Sequence, residues 1–354
     1  IGYVGVEIHP IDSDDKDAYV EEYLELCGQA DVDVLVGPLD SSVALAVLQK
    51  LKDEGCDKLF LLASSGIDAV FDPSKHFTHA WSVYGKASQR GADVVDFLAT
   101  LEPSASQSVA IAGENTELAR EWLASLQAAI ASSSDLTLEN VPDLADTARF
   151  PRTIKPVADV GADIFIGLGD TFEALLRKFK QLKYAPNGAF LAGGLDVSDY
   201  VKEQSYSQPD CTECWVPDQW MGTLPWSHEM THQANESWTG SDRYHDAGAG
   251  LNGADRRFSR YMGSVDDFRS LAKARHGSSR HEPTHYHAQA AATLLMMQIA
   301  LELAPSADGW GLSYDDLRNV DALKAAMAAL NVHTFWGPIR LQAEGHNAAF
   351  KTGI

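Results

Sequence analysis

The sequence predicts an α/β protein built from two doubly wound parallel-sheet lobes. Three observations carry that expectation. Short, wholly apolar runs bounded by Gly, Pro or Ser recur along the chain, as strands covered on both faces should. Stretches with apolar residues at helical spacing fall between them. The alternation also breaks at Glu102-Pro103-Ser104-Ala105-Ser106 and then restarts, giving a second series of similar size without sequence repetition.

In order, Val4–Ile8 reads as a strand, and 17–27 as a helix carrying Val20, Tyr23, Leu24 and Leu26 on one face. Val32–Val36 is a strand stopped by Gly37-Pro38. Ser41–Glu54 is a helix capped by Ser41 or Ser42, with Val47, Leu48 and Leu51 on its apolar side. Strand Leu59–Leu62 and helix Gly85–Leu98 complete a βαβαβα series, which implies a parallel sheet with helices on both faces. After the break come strand Ser108–Ala112, helix Thr116–Ile130, strand Leu136–Asn140, helix Ile154–Val160, strand Ile164–Leu168, helix Phe172–Leu182 and strand Ala189–Ala192. From Asp199 to Pro283 periodicity fails. That segment holds four of the eight tryptophans (Trp215, Trp220, Trp226, Trp238) and reads as long loops with short helices near Ala254–Tyr261 and Val265–Ala274. Helices Tyr286–Leu303 and Asp321–Leu330 follow, and strand Gly337–Leu341 enters a turn at Glu344-Gly345.

The 354 residues are about two domains' worth, and 45% hydrophobic with 22% charged residues is ordinary globular composition. With 28 Lys+Arg against 50 Asp+Glu the formal charge is −22. Such an excess repels phosphate backbones and anionic lipid surfaces, so nucleic-acid binding is excluded as a function class. No run approaches the roughly 20 consecutive apolar residues of a membrane span. The chain opens at Ile1-Gly2-Tyr3-Val4 with neither Met nor a basic leader, as a processed or trimmed chain would. Four cysteines are too few for a disulfide scaffold. Cys27 and Cys56 flank a strand–helix unit. The loop-like Cys211-x-x-Cys214 is open to three readings: a local disulfide, half a metal site or a redox pair.

Ligands of open α/β sheets sit beyond the carboxyl ends of strands, where helix N-termini offer free N–H groups. Two such places carry paired hydroxyls, Ser41-Ser42 and Ser64-Ser65. In the second series Gly113-Glu114-Asn115-Thr116, Gly169-Asp170-Thr171 and Gly193-Gly194-Leu195-Asp196 occupy equivalent positions. Asp170 or Thr171 is also a helix-cap candidate, and a carboxylate there suits a ligand ammonium. Tryptophans of the irregular segment, Trp220 among them, are candidates to line a cleft. No nucleophile elbow, phosphate loop or zinc-protease helix occurs, so no catalytic residue, cofactor or metal site is assigned. His281, His285 and His287 form a cluster that leaves metal ligation open, with no carboxylate or thiolate partner placed beside it by the sequence. Asn235-Glu236-Ser237 is a glycosylation sequon.

Val32-Asp33-Val34-Leu35-Val36-Gly37-Pro38 with Ser41-Ser42 resembles the "VDxxxGPxxSS" stretch of type I periplasmic binding proteins, in their branched-chain amino-acid and amide branch. His285-Tyr286-His287-Ala288 opening an alanine-rich helix is similar to that family's "YxAxxA" helix. Phe335-Trp336-Gly337-Pro338-Ile339-Arg340-Leu341 with Glu344-Gly345-His346-Asn347 resembles its "FxGPIxFxxxGxN" close. The resemblance implies two lobes joined by a three-strand hinge, residues 1–102 with 245–325 forming one and 103–244 with 326–354 the other. It implies first-lobe ligand contacts at Ser41, Ser64 and Ser65, and second-lobe contacts at Glu114 or Asn115, Asp170 and Asp196. The family's first strand–helix unit and last strand have no counterpart between Ile1 and Ile354. The function implied is that of a non-enzymatic periplasmic or extracellular solute-binding protein. It would trap a small amino acid, amide or carboxylate and deliver it to an ABC-type permease. The alternative is the ligand-binding ectodomain of a membrane receptor of the same fold.

Overall fold

A strand points successive side chains to opposite faces, so a strand that is apolar throughout needs cover on both. The computed structural model describes residues 15–38, 40–63, 66–75, 77–101, 106–140, 144–145, 150–169, 172–184, 186–192, 220–222, 265–276, 285–303, 319–334 and 336–348. The chain divides into two compact units, Ile1–Lys86 with Trp226–Phe350, and Ala87–Pro225 with Lys351–Ile354. The boundaries therefore fall after residues 86, 225 and 350, where the sequence suggested 102, 244 and 325.

The first unit contains helices α1 (Lys16–Gly28) and α2 (Ser41–Asp53) and strands β1 (Val34–Val36), β2 (Leu59–Leu62) and β3 (Ala80–Ser82). The strands form a parallel sheet in that order, with Val34 opposite Leu59 and Phe60 opposite Ala80. Leu59, Leu61 and Trp81 join a core built mainly with residues of later elements. These are α8 (His285–Leu303), α9 (Val320–Ala328) and the antiparallel hairpin of β9 (Asn331–Thr334) and β10 (Gly337–Arg340). Phe60 alternates away from that core and meets the Tyr23 ring of α1 at 5.4 Å. Trp336, Ile339 and Leu341 are buried in this core, which is why the hairpin belongs to the first unit. Helix α7 (Val265–His276) contributes Phe268.

The second unit holds α3 (Ala87–Leu101), β4 (Gln107–Gly113), α4 (Glu117–Ser132), β5 (Leu136–Asn140), α5 (Phe150–Val160), β6 (Ile164–Leu168), α6 (Phe172–Leu182), β7 (Gly188–Ala192) and β8 (Trp220–Gly222). Its sheet is parallel throughout, in the order β5-β4-β6-β7-β8. Val109, Ile111, Ile164 and Ile166 point to the face covered by α3 and α4. Ala110, Ala112 and Phe165 point to the opposite face, where Phe179 of α6 stands edge-on to Phe165 (4.9 Å) and to Tyr184 (5.0 Å). Helix α3 belongs here because it packs against α4 at close range. A Cβ on Gly91 would lie 2.7 Å from the Leu126 backbone, and the Ser125 hydroxyl donates to the Ser88 carbonyl at 2.6 Å. At the amino edge, Asp163 accepts from the Ser108 amide (2.9 Å) and hydroxyl (2.6 Å), tying β6 to β4.

The N-terminus of α2 corrects one expectation. Asp40, not Ser41 or Ser42, is the cap. Its carboxylate accepts from the Ser42 amide (2.7 Å), the Val43 amide (2.9 Å) and the Ser42 hydroxyl (2.6 Å). All three bonds fall on one carboxylate oxygen, Oδ1, so the cap position is residue 40 and both serines lie inside the first turn. Burial works against the Asp40 charge, but these hydrogen bonds outweigh it and hold the carboxyl below its usual range. Asp40→Ala is expected to cost about 1 kcal/mol, read as a lower urea midpoint at unchanged slope.

Three short strands lay beyond the sequence pattern: β3, β8 and β9. Val4–Ile8 and the helix expected near Ala254–Tyr261 lie outside the described residues. Among the described residues no helix is long and apolar enough to cross a membrane.

Cys27, at the end of α1, is joined to Cys56, just past α2, by a disulfide. Both cysteines precede neighbouring parallel strands, so the topology brings them to the same sheet edge.

Candidate functional site

In the second sheet the chain leaves β4 towards β5 on one side and later returns to β6 on the other. The connections therefore diverge beyond the carboxyl ends of β4 and β6, the place where open α/β sheets hold their ligands. Glu114 stands at that point. Its amide donates to the Leu168 carbonyl at the end of β6 (2.7 Å), and it bridges to Ala145. The side chain is only 4% exposed. Gly169 has φ of +138°, and a Cβ there would fall 2.6 Å from the Glu114 carboxyl carbon. The missing side chain at 169 is thus what lets a carboxylate lie across the strand ends.

Asn115 is exposed, its amide donating to the Ala145 carbonyl (2.7 Å) and its side-chain oxygen accepting from Arg120 (2.7 Å). Thr116 caps α4, its hydroxyl accepting from the Ala119 amide at 3.1 Å. The buried carboxylate, the small residue facing it and a helix N-terminus are therefore brought together from residues 114–117 and 169.

At the carboxyl edge of the first sheet, Gly37-Pro38 is a cis peptide and Gly37 has φ of +112°. The Gly37 amide donates to the Leu61 carbonyl (2.9 Å), and a Cβ would sit 2.5 Å from the Tyr23 hydroxyl. That hydroxyl donates to the Val36 carbonyl (2.9 Å). Burial, with a smaller contribution from Tyr19, pushes the Tyr23 hydroxyl far above its usual range, so it stays a donor. The turn delivers Ser41, half-buried, to the start of α2. Ser42 is exposed and its hydroxyl is spent on Asp40. The α2 terminus was expected to present free amides to an anionic ligand group. Two of them are instead taken by Asp40.

Ser64, Ser65, Asp170, Thr171 and Asp196 lie outside the described residues, as does His281. The Trp220 backbone opens β8, paired in parallel with Ala189. His285 starts α8 and His287 is exposed in its first turn. Among the described residues no three His, Cys, Asp or Glu side chains are grouped to hold a metal ion. Asp40 is the residue that sequence reasoning missed. Its signal was an Asp directly before two serines and an apolar helical run, a cap-forming residue one place further upstream.

A parallel sheet whose strand order reverses at β4, joined in one chain to a second parallel-sheet unit by repeated passages, is the architecture of type I periplasmic binding proteins. Solved structures of that class match nearly the whole chain. A solute-binding protein of an ABC transporter from R. palustris, in complex with benzoate, shares 14% identity at a TM-score of 0.60, over 95% of this chain and 78% of that one. An ABC transporter substrate-binding protein from Desulfitobacterium hafniense shares 10% at 0.65, over 97% and 83%. A leucine-binding protein from Thermotoga maritima shares 13% at 0.62, over 95% and 80%. At such identities the likeness is one of fold. No family model matches the sequence, and no curated protein sequence matches it.

Proposed function

We propose that this chain is the extracytoplasmic solute-binding protein of an ABC-type uptake system. It takes up a small amino acid, amide or carboxylate and delivers it to a membrane permease, and it is not an enzyme. The observation that carries this reading is the buried Glu114 across the strand ends of a doubly wound sheet, in a fold shared with ABC substrate-binding proteins. The Cys27–Cys56 disulfide supports a location outside the reducing cytoplasm. A ligand stabilises the state of the chain that binds it more tightly, and a permease reads that state. Acidic side chains stand beyond the ends of β1 and β4, Asp40 in the first unit and Glu114 in the second. They favour a ligand with an ammonium or amide donor over one that is only an anion.

The test is a thermal-shift panel of the purified chain against leucine, isoleucine, their N-acetyl derivatives, small amides and benzoate. A ligand at 100 times its Kd adds about 2.7 kcal/mol to the native state, a shift of a few degrees for a chain of this length. Free amino acids or amides are expected to give it. A cooperative melt that none of these compounds moves would overturn the reading.

A further inference from the structure

The chain passes between its units after Lys86, Pro225 and Phe350. One side chain fastens the segment entering the first of these passages to the segment entering the third. Asn347 is fully buried. Its Nδ2 donates to the Val83 carbonyl (3.0 Å), a residue 264 positions away in the sequence. Its Oδ1 accepts from the Arg340 amide of β10 (2.8 Å), and its own amide donates to the Tyr84 carbonyl (2.9 Å). Nearby, the Ser82 amide donates to the Gly345 carbonyl (2.8 Å). The Tyr84 hydroxyl, in turn, donates to Gln289 Oε1 in α8 (2.8 Å), and its ring stands edge-on to Trp336 (5.5 Å).

A primary amide is the side chain that carries a donor and an acceptor on one short planar head. Aspartate at this position keeps the acceptor but loses the donor to Val83. Leucine fills the space and loses both. Both segments are held within the first unit, so the fastening does not depend on where the second unit lies.

We infer that Asn347 is a positioning residue that makes residues 82–84 and 340–347 one mechanical body. A displacement of the first passage between the units is then carried to the third. The inference rests on the two-unit division of the chain and on no ligand, so it stands or falls separately from the proposed transport role.

Native-state hydrogen exchange of the full chain across a urea series, read by mass spectrometry with peptides covering 80–88 and 337–348, tests it. In the unsubstituted protein the Ser82, Arg340 and Asn347 amides are expected to open along one common isotherm. Separate isotherms for the two peptides would overturn the inference without any variant. In Asn347→Ala, protection at Ser82 should fall tenfold or more together with protection at Arg340, while the β4 amides at 109–113 keep theirs. Loss confined to 337–348 would mark Asn347 as a local turn residue and overturn the coupling. If Asn347→Ala does not fold, the isotherms of the unsubstituted chain decide alone.

Discussion

Replacing Cys27 and Cys56 together by alanine is expected to lower the stability of the first unit by about 3–4 kcal/mol. The bond closes a loop with a sequence separation of 29 residues, and in the chain-entropy account a loop of that length confines the unfolded chain by about that amount. Within it lie the end of α1, β1, the cis Gly37-Pro38 turn and all of α2, including the Asp40 cap. The disulfide thus encloses the strand end between β1 and α2. The Tyr23 ring on Phe60 and its bond to Val36 hold the same segment non-covalently, so the unit should still fold once the bond is gone. Denaturation by urea with and without reductant measures the effect. The double-alanine variant separates it from any contribution of Cys211 and Cys214. If variant and parent unfold at the same midpoint under oxidising conditions, the bond does not constrain the unfolded chain as described.

A second consequence concerns pH. His346 is buried against the Phe71 ring (5.6 Å). Burial, then the nearby Lys86 charge, holds its imidazole below the usual range, and His79 shifts the same way through burial and Lys324. A histidine whose folded form resists protonation contributes stability that is whole above its unfolded value, about 6.5. That stability is lost as the pH falls below it, because the unfolded chain takes up the proton first. Urea midpoints should therefore drop between pH 7 and pH 5, and His346→Phe should flatten part of that slope. A midpoint that holds or rises over this interval would contradict the assignment.

Much of the fold was legible because its strands are short apolar runs with clear stops. β5, β6 and α6 run as the periodicity indicated, Leu136–Asn140, Ile164–Leu168 and Phe172–Leu182. The strands that escaped are those with too few residues to show a period. β3 is Ala80-Trp81-Ser82, and β9 is the polar-looking Asn331-Val332-His333-Thr334, a strand only because β10 pairs with it. The compact units part from the sequence reading at α3 for a tertiary reason. Nothing before Glu102 shows that Gly91 is the contact point for α4, and without that contact α3 reads as the last helix of the first series. At the site, the strand ends themselves marked Glu114 and Asn115. The depth of Glu114 depends on Gly169, 55 residues away, and on strand order, neither of which a local pattern contains. The Asp40 cap was within reach of the sequence, since Asp caps helices as readily as the serines that follow it.

Gly345→Ala is expected to be among the most damaging single substitutions in the chain, costing about 3 kcal/mol or more. Two costs add. Gly345 has φ of +91°, a backbone conformation that costs an L-residue roughly 1–2 kcal/mol. A Cβ there would also press into the Ala80 carbonyl oxygen, with the carbonyl carbon at 3.0 Å and Trp81 Cα at 3.5 Å. The obstacle is backbone of β3, paired with β2, so it cannot swing aside as a flexible side chain does. Relief requires the 342–347 turn to lift from β3. That parts the Ser82 amide from the Gly345 carbonyl and loosens the Asn347 bonds to Val83 and Tyr84, groups that lie in the core and cost about 1–3 kcal/mol each when left unpaired. Gly55→Ala is the internal control. It has a comparable φ of +73° with nothing within 4 Å of the added carbon, so it should carry the conformational cost alone, about 1–2 kcal/mol. Urea unfolding of the two variants, followed by the fluorescence of the buried tryptophans, sets them side by side. A Gly345→Ala midpoint shift no greater than that of Gly55→Ala would mean that the turn and β3 can separate freely, and the body formed by residues 82–84 and 340–347 would lose its physical basis.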